Sequence, residues 1–431
     1  MQNASEFESA AYRKITGRLI PYLFVCYILA YIDRVNVGFA KLQMQQDLGM
    51  SDSVYGLGAG IFFIGYFFFE VPANMIMQRI GARLWIGPIM IAWGIISACI
   101  MFVSGPASFY SLRFLLGIVE SGFFPGVILY LTYWYIRKHR VKMIAAFMTA
   151  VPLSGVIAGP ISGWILEKLG GAAGLTSWQW LFLVEGLPSV VVGLVTLVFL
   201  ADSPGRAKWL TEDEKALVLR RLKEEEDLKS EAGHTSHHLM DVFRSPAVWL
   251  LCLVYFGLVG SNYGISFWLP QVIQDTLTRN TLAIGWLSVI PWAAAAVAMN
   301  VVGRHSDSTG ERRFHLALAG MVVAVSFAVS AVPGISGPAG LAALTFATMG
   351  IMSGLAVFWA LPTSILSGRA AAAGIAWVNS VGNLAGYVSP YVVGMIRDAN
   401  RSMTAALLFL SGLALLASLL TLYIARKSHL K

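Results

Sequence analysis

The sequence predicts an all-α membrane protein of 12 transmembrane helices in two six-helix bundles. Three observations predict it. Of 431 residues, 57% are hydrophobic and only 13% charged, with a mean hydropathy of +0.68; a water-soluble chain of this length needs far more polar surface. Apolar runs of the roughly 20 residues that cross a bilayer core recur along the chain. The runs fall into six, a polar interlude, and six more.

In order, the spans lie near 17–40, 54–78, 84–103, 107–136, 142–166 and 178–201, then 246–273, 281–303, 314–333, 337–366, 371–396 and 403–425. Residues 1–201 form the N-terminal bundle, 202–245 a linker and 246–431 the C-terminal bundle. The first apolar run lacks a small-residue cleavage site, so no cleavable signal is expected. In the linker, "TEDEKALVLRRLKEEEDL" places Thr211 and Glu214 in capping-box spacing, which predicts a surface helix. The following "HTSHH" has no acid or cysteine at ligand spacing and reads as a solvated linker, so no metal is expected. Cys26, Cys99 and Cys252 sit singly in apolar stretches, without a disulfide or metal pattern.

Basic residues set the orientation. With both termini cytoplasmic, 24 of the 31 Lys and Arg fall in cytoplasmic segments and five (Lys41, Lys168, Arg279, Arg397, Arg401) in outer loops. Only Arg34 and Arg113 remain within the membrane. The net charge of +8 is therefore topological and calls for no nucleic-acid partner.

"NMIMQRIGAR" (74–83) follows span 2, and "GRHSDSTGERR" (303–313) follows span 8. Both read as short, basic, glycine-containing loops on the same side. Their offset of 229 residues is close to that between the starts of spans 1 and 7. Two similar bundles joined by a linker is the organisation of a parallel-repeat transporter, with its site at midplane.

These loops resemble the signature of the major facilitator superfamily, and the resemblance covers essentially the whole chain. The first copy departs from it, with Asn74 where glycine is usual and Gln78 for the usual aspartate; the second keeps Gly303, Asp307, Arg312 and Arg313. Arg79, Arg83, Asp307, Arg312 and Arg313 are the candidate gating residues. "YIDRVNVGFA", "FFFEVPANMIMQRIGAR", "RFLLGIVESGFFPG" and "FLVEGLP" are similar to the anion:cation symporter branch, which includes permeases for tartrate, sugar acids, phthalate and hydroxyphenylacetate. The resemblance implies import of an organic carboxylate, commonly with protons, by a monomer in the bacterial inner membrane. It implies no cofactor beyond the coupling ion H+, and it implies that Tyr66 lines the site.

Ionised groups at membrane depth are costly and mark functional sites. All the strong intramembrane charges fall in the first half: Asp33, Arg34, Glu70, Arg113, Glu120 and Glu185. Helix 4 reads "GIVESG" where helix 10 reads "GIMSG", with Met352 near the equivalent of Glu120. Arg113, Gly117 and Glu120 share one helical face. Arg113 and Glu120 lie about 10.5 Å apart along the axis, so their side chains are expected to meet over Gly117 or share a ligand there.

Tyr31 and Arg34 share a face, whereas Asp33 lies about 100° around. Arg34 is thus the candidate carboxylate fork beside tyrosine hydroxyls, and Asp33, with Glu120, a candidate proton carrier. Glu70 reads equally as a helix–helix hydrogen bond, and Glu185 as structural. In the second half Asn379, Asn383 and Trp359 are candidate substrate contacts, and Asn262, Tyr263 and Trp268 weaker aromatic or amide walls.

Efflux of lipophilic compounds by the same architecture is the competing transport reading, and it leaves two intramembrane arginines unexplained. An enzyme is not expected, for no HExxH, GxSxG or Walker pattern is present. A sensor would carry a signalling domain for which the linker is too short.

Overall fold

The computed structural model describes residues 2–231, 245–365 and 368–427. Most of these residues are helical. Among the described residues, eleven stretches are long and apolar enough to cross a membrane: span 1 (Glu6–Asp47), span 2 (Asp52–Ile80), span 3 (Ala82–Phe102), span 4 (Pro106–Thr132), span 5 (Arg137–Lys168), span 6 (Ser177–Phe199), span 7 (Pro246–Thr276), span 8 (Thr281–Thr309), span 9 (Arg313–Ser330), span 10 (Gly337–Pro362) and span 12 (Thr404–Ile424). Span 11 consists of two helices, Gly368–Asn383 and Ala385–Asn400, meeting at Leu384.

The sequence places several boundaries too tightly. The first helix begins at Gln2, far before residue 17, because the polar N-terminus contains no residue that stops it. Its extension docks on the linker helix (Glu212–Glu231), through Lys14 to Glu214 at 2.8 Å and Arg221 to Glu8 at 2.6 Å. The linker helix carries the reciprocal cap: the Thr211 amide donates to Glu214 at 2.8 Å and the Glu214 amide to Thr211 Oγ1 at 3.3 Å. The "HTSHH" segment lies outside the described residues. The segments read as loops after spans 2 and 8 are largely helical. Span 2 runs to Ile80, stopping at Gly81 with φ 90°, and span 8 runs to Thr309, stopping at Gly310 with φ 71°.

Four other spans are broken, span 1 at Asn36, span 4 after Glu120, span 5 at Thr149 and span 10 at Trp359. Backbone carbonyls freed inside a bilayer need donors. Ser121 Oγ donates to Ile118 O and Thr149 Oγ1 to Ala146 O, each at 2.7 Å.

The two halves clasp each other at the end opposite the chain termini, where backbone meets backbone. A Cβ on Gly285 of span 8 would lie 2.2 Å from Gly159 O of span 5. Likewise Gly56 and Gly60 of span 2 face the carbonyls of Pro390 and Tyr387 in span 11. A charge network lies at the same end. Asp52 accepts from Lys41 at 2.8 Å and from Arg397 at 3.0 Å, and Arg397 reaches Asp275 at 2.9 Å. Lys41 Nζ and the Arg397 guanidinium both lie over the Trp268 ring, at 4.6 and 5.5 Å. Sequence reading treats Lys41 and Arg397 as outer-loop charges; the longer spans carry both on helices.

Candidate functional site

Arg34 lies two residues before the break at Asn36, deep in span 1. Its Nε donates to Glu120 Oε1 of span 4 at 2.9 Å, and its terminal nitrogen reaches the same oxygen. The remaining nitrogen donates to the Tyr263 hydroxyl of span 7 at 2.9 Å. Arg34 is 7% exposed and Glu120 1%. The rings of Phe62, Tyr31 and Tyr66 surround the guanidinium at 5.2, 5.7 and 5.7 Å from their centres, within cation–π range. A single cation thus joins the two halves, held by a carboxylate from one and a phenol from the other.

Arg113 and Glu120 do not meet as the shared face suggested. A Cβ on Gly117 would lie 1.9 Å from Phe62 O, so the main chain of span 2 occupies the space between them. Arg113 is fully buried and donates to main-chain carbonyls: Ala59 O at 3.1 Å, Arg34 O at 3.3 Å and Gly58 O at 3.4 Å. It holds spans 1, 2 and 4 together directly behind Arg34. Asp33 points away from Arg34 and toward spans 3 and 6, accepting from Ser97 at 2.7 Å and Ser189 at 2.5 Å.

The second half contributes amides and aromatics. Asn262 Nδ2 donates to the Tyr31 hydroxyl at 3.1 Å. Asn379 Nδ2 donates to Glu70 Oε1 at 2.9 Å, and Ser380 Oγ to Glu70 Oε2 at 3.4 Å. Glu70 is therefore a bridge between the halves rather than a contact within one bundle. Trp359 stands at the break in span 10, 4.9 Å from the Tyr255 ring centre, and Asn383 ends the first helix of span 11 beside the break at Leu384.

A family model described as "Major Facilitator Superfamily" matches residues 23–390. The chain belongs to that superfamily. Superfamily membership makes it a transporter rather than an enzyme. It is 45% identical to the "Putative tartrate transporter" of Agrobacterium vitis over 98% of this chain and 93% of that one. It is 40% identical to the "Quinolone resistance transporter" of Acinetobacter baumannii, over 98% and 96%. Among solved structures it superimposes on a D-xylose-proton symporter with a TM-score of 0.74 at 13% identity, covering 94% of this chain and 96% of that one, a likeness of fold.

The superfamily's two signature loops adopt different local arrangements. Arg312 pairs with Asp307 at 2.7 Å, and Arg313 donates to Leu422 O at 3.3 Å. In the first copy, Arg79 and Arg83 are exposed, and the Arg83 amide donates to Asp202 at 3.0 Å. Among the described residues no ion pair joins Arg79 or Arg83 to Asp307.

Tyr263 is the site residue that sequence reasoning undervalued. Its signal was the polar pair Asn262–Tyr263 in an apolar span, at the same repeat position as Asp33–Arg34 on an offset of 229 residues.

Proposed function

We propose that this transporter imports a small organic carboxylate, a tartrate-like hydroxy acid or an aromatic acid, by proton symport with alternating access. The observation that carries the reading is the Arg34–Glu120 pair bound across the halves to Tyr263. Arg34 is the midplane fork that suits a carboxylate, and in this conformation Glu120 occupies it. A proton on Glu120 cancels the pair and frees the guanidinium for the substrate. Loss of that proton restores the pair and expels the anion. Proton and carboxylate thereby bind together, and Tyr263 passes the exchange to the other half. Tyr31, Tyr66, Asn262 and Trp359 supply aromatic walls and hydrogen bonds. Asn379 and Asn383 complete the set of substrate contacts in this reading, and Arg113 keeps the fork in place.

The energetics favour such coupling. An inside-negative potential opposes anion entry by about 2.3 kcal/mol per charge per 100 mV, and one proton per carboxylate removes that cost. The distribution of Lys and Arg supports cytoplasmic termini in a bacterial inner membrane, and the tartrate-named relative supports the substrate class. Export of a lipophilic compound is the second reading, supported by the relative named for quinolone resistance.

Purified protein in proteoliposomes, tested with labelled tartrate, phthalate and hydroxyphenylacetate under an inward proton gradient, separates the two. Gradient-driven accumulation of a carboxylate supports import. Extrusion of a quinolone with no carboxylate uptake overturns it.

A further inference from the structure

On the outer wall of the N-terminal half, at the end that carries the chain terminus, a groove of about 610 Å³ opens between span 1 and span 6. Lys14, Arg18, Pro21 and Val25 line it from span 1. They follow at i, i+4, i+7 and i+11, so they form one stripe along that helix. Phe199, the last residue of span 6, and Trp209, two residues before Thr211 at the start of the linker helix, form the other wall. Gly17 leaves the middle open, for a Cβ there would meet nothing within 4 Å.

The stripe changes character along its length. Val25 is 45% exposed, and Val195 and Val198, just before Phe199, are 44% and 84% exposed. Apolar surface of this kind belongs against acyl chains. Arg18 and Lys14 come successively nearer the terminus, at the level where a bilayer presents headgroups and tryptophan gathers.

The charges in the groove do not balance. Lys14 is neutralised by Glu214 at 2.8 Å. Arg18 is not: among the described residues it has neither an ion pair nor a hydrogen bond, and its Nε is buried without a partner. Its guanidinium lies 4.6 Å from the Phe199 ring centre and 5.2 Å from that of Trp209. The Trp209 indole N–H is also buried and unpartnered, and its ring is held against Trp134 with centres 5.6 Å apart and planes 9° apart. Buried donors are almost always satisfied, so two together, one of them charged, call for an acceptor. Rings whose faces already carry an arginine cannot cage a choline or an ammonium group. The chemistry that fits is one negative charge spread over several oxygens.

We propose that this groove binds the headgroup of an anionic phospholipid with a single phosphodiester charge, as in phosphatidylglycerol, its acyl chains lying along Val25, Val195 and Val198. Arg18 supplies the charge-assisted hydrogen bond and the Trp209 indole a second donor. Trp209 leads into the linker helix, which Lys14 already holds through Glu214. A bound headgroup therefore fastens the chain between the two halves to span 1. The site lies apart from the Arg34 pocket and does not depend on which substrate that pocket takes.

The test uses purified full-length protein in an uncharged detergent. Phosphatidylglycerol, phosphatidylcholine with the same acyl chains, or soluble glycerol phosphate is added. Thermal stability and the lipid adducts retained in native mass spectrometry are the readouts. Phosphatidylglycerol should raise the melting temperature and leave an adduct that phosphatidylcholine does not. Arg18→Ala should weaken that binding by about tenfold or more, through loss of a hydrogen bond from a charged group. Gly17→Leu should fill the groove and block the lipid while folding at least as well, since leucine is a better helix former than glycine. Arg13→Ala removes an exposed cation of the same helix outside the groove and should bind as the wild type does. Should Arg18→Ala fail to fold, Gly17→Leu and Trp209→Phe carry the comparison. Equal binding of the two lipids, or wild-type binding in both Arg18→Ala and Gly17→Leu, overturns the site. An equal response to glycerol phosphate alone overturns the lipid assignment in favour of a soluble phosphate ester.

Discussion

Replacing Gly285 by Ala tests whether the backbone clasp between spans 5 and 8 sets the conformational balance. The new Cβ would lie 2.2 Å from Gly159 O, about 1.2 Å short of an ordinary contact of 3.4 Å. The obstacle is main chain inside a helix and cannot rotate aside, so the spans must part by about 1 Å at this end. Overpacking of this kind costs about 1–3 kcal/mol. Because the strain exists only while this end is closed, the closed population falls by roughly 5- to 150-fold. Gly159→Ala, at 2.5 Å from Gly285 O, gives the smaller shift. Spin labels at the exposed positions Lys168 and Arg279 flank this contact, in a background with Cys99 replaced by Ser. Distance distributions from electron paramagnetic resonance should move to longer separations in Gly285→Ala. An unchanged distribution in folded, monodisperse protein would refute the argument that these glycines keep this end shut.

Glu120→Gln removes the charge that competes for Arg34; proteoliposomes should lose gradient-driven accumulation while substrate exchange persists at a reduced rate. Arg34→Lys cannot reproduce the fork between Glu120 and Tyr263, and carboxylate affinity should weaken by about 2 kcal/mol or more in equilibrium binding. Arg397→Gln removes the partner of both Asp52 and Asp275, so thiol labelling of a cysteine placed at Tyr55, buried under this network, should accelerate. Glu311 titrates outside the membrane. Partial burial pushes its carboxyl up, but amide hydrogen bonds from Phe314 at 2.6 Å and His315 at 3.2 Å, with the His315 ring, outweigh this and hold it below its ordinary value. A lowered value means that its stabilisation of the start of span 9 is complete above about pH 4.3, the usual glutamate value, and is lost as pH falls through the lowered one. Amide hydrogen exchange at Phe314 and His315 should rise there, and Glu311→Gln should abolish that dependence.

The fold was legible because bilayer thickness and charge asymmetry act on the chain locally: apolar length identifies a span without reference to any other. The site was legible only in part. Helical periodicity shows that Arg113, Gly117 and Glu120 share a face but not what fills the space beside Gly117. That answer came from span 2, whose carbonyls took Arg113 and left Glu120 to Arg34. Glu70 and Asn379 are 309 residues apart, and nothing local to either names the other. Lys41 and Arg397 looked like loop charges because a span was credited with only the length needed to cross lipid, and their acidic partners Asp52 and Asp275 drew no notice.

The two ends of the molecule are fastened by different forces, and this has a consequence for its setting. Near Trp268 the fastening is ionic; at Glu70 it is a carboxylate held by an amide and a hydroxyl. Dissolved salt screens exposed charges over a distance of about 8 Å at physiological strength and buried ones much less; in this network only the Asp275 side chain is exposed, at 40%, whereas Lys41 is 1% and Asp52 16% exposed. The salinity of the compartment bathing the Trp268 end therefore reaches this fastening only through the Arg397–Asp275 pair, and the rest of the clasp holds regardless of the salt outside.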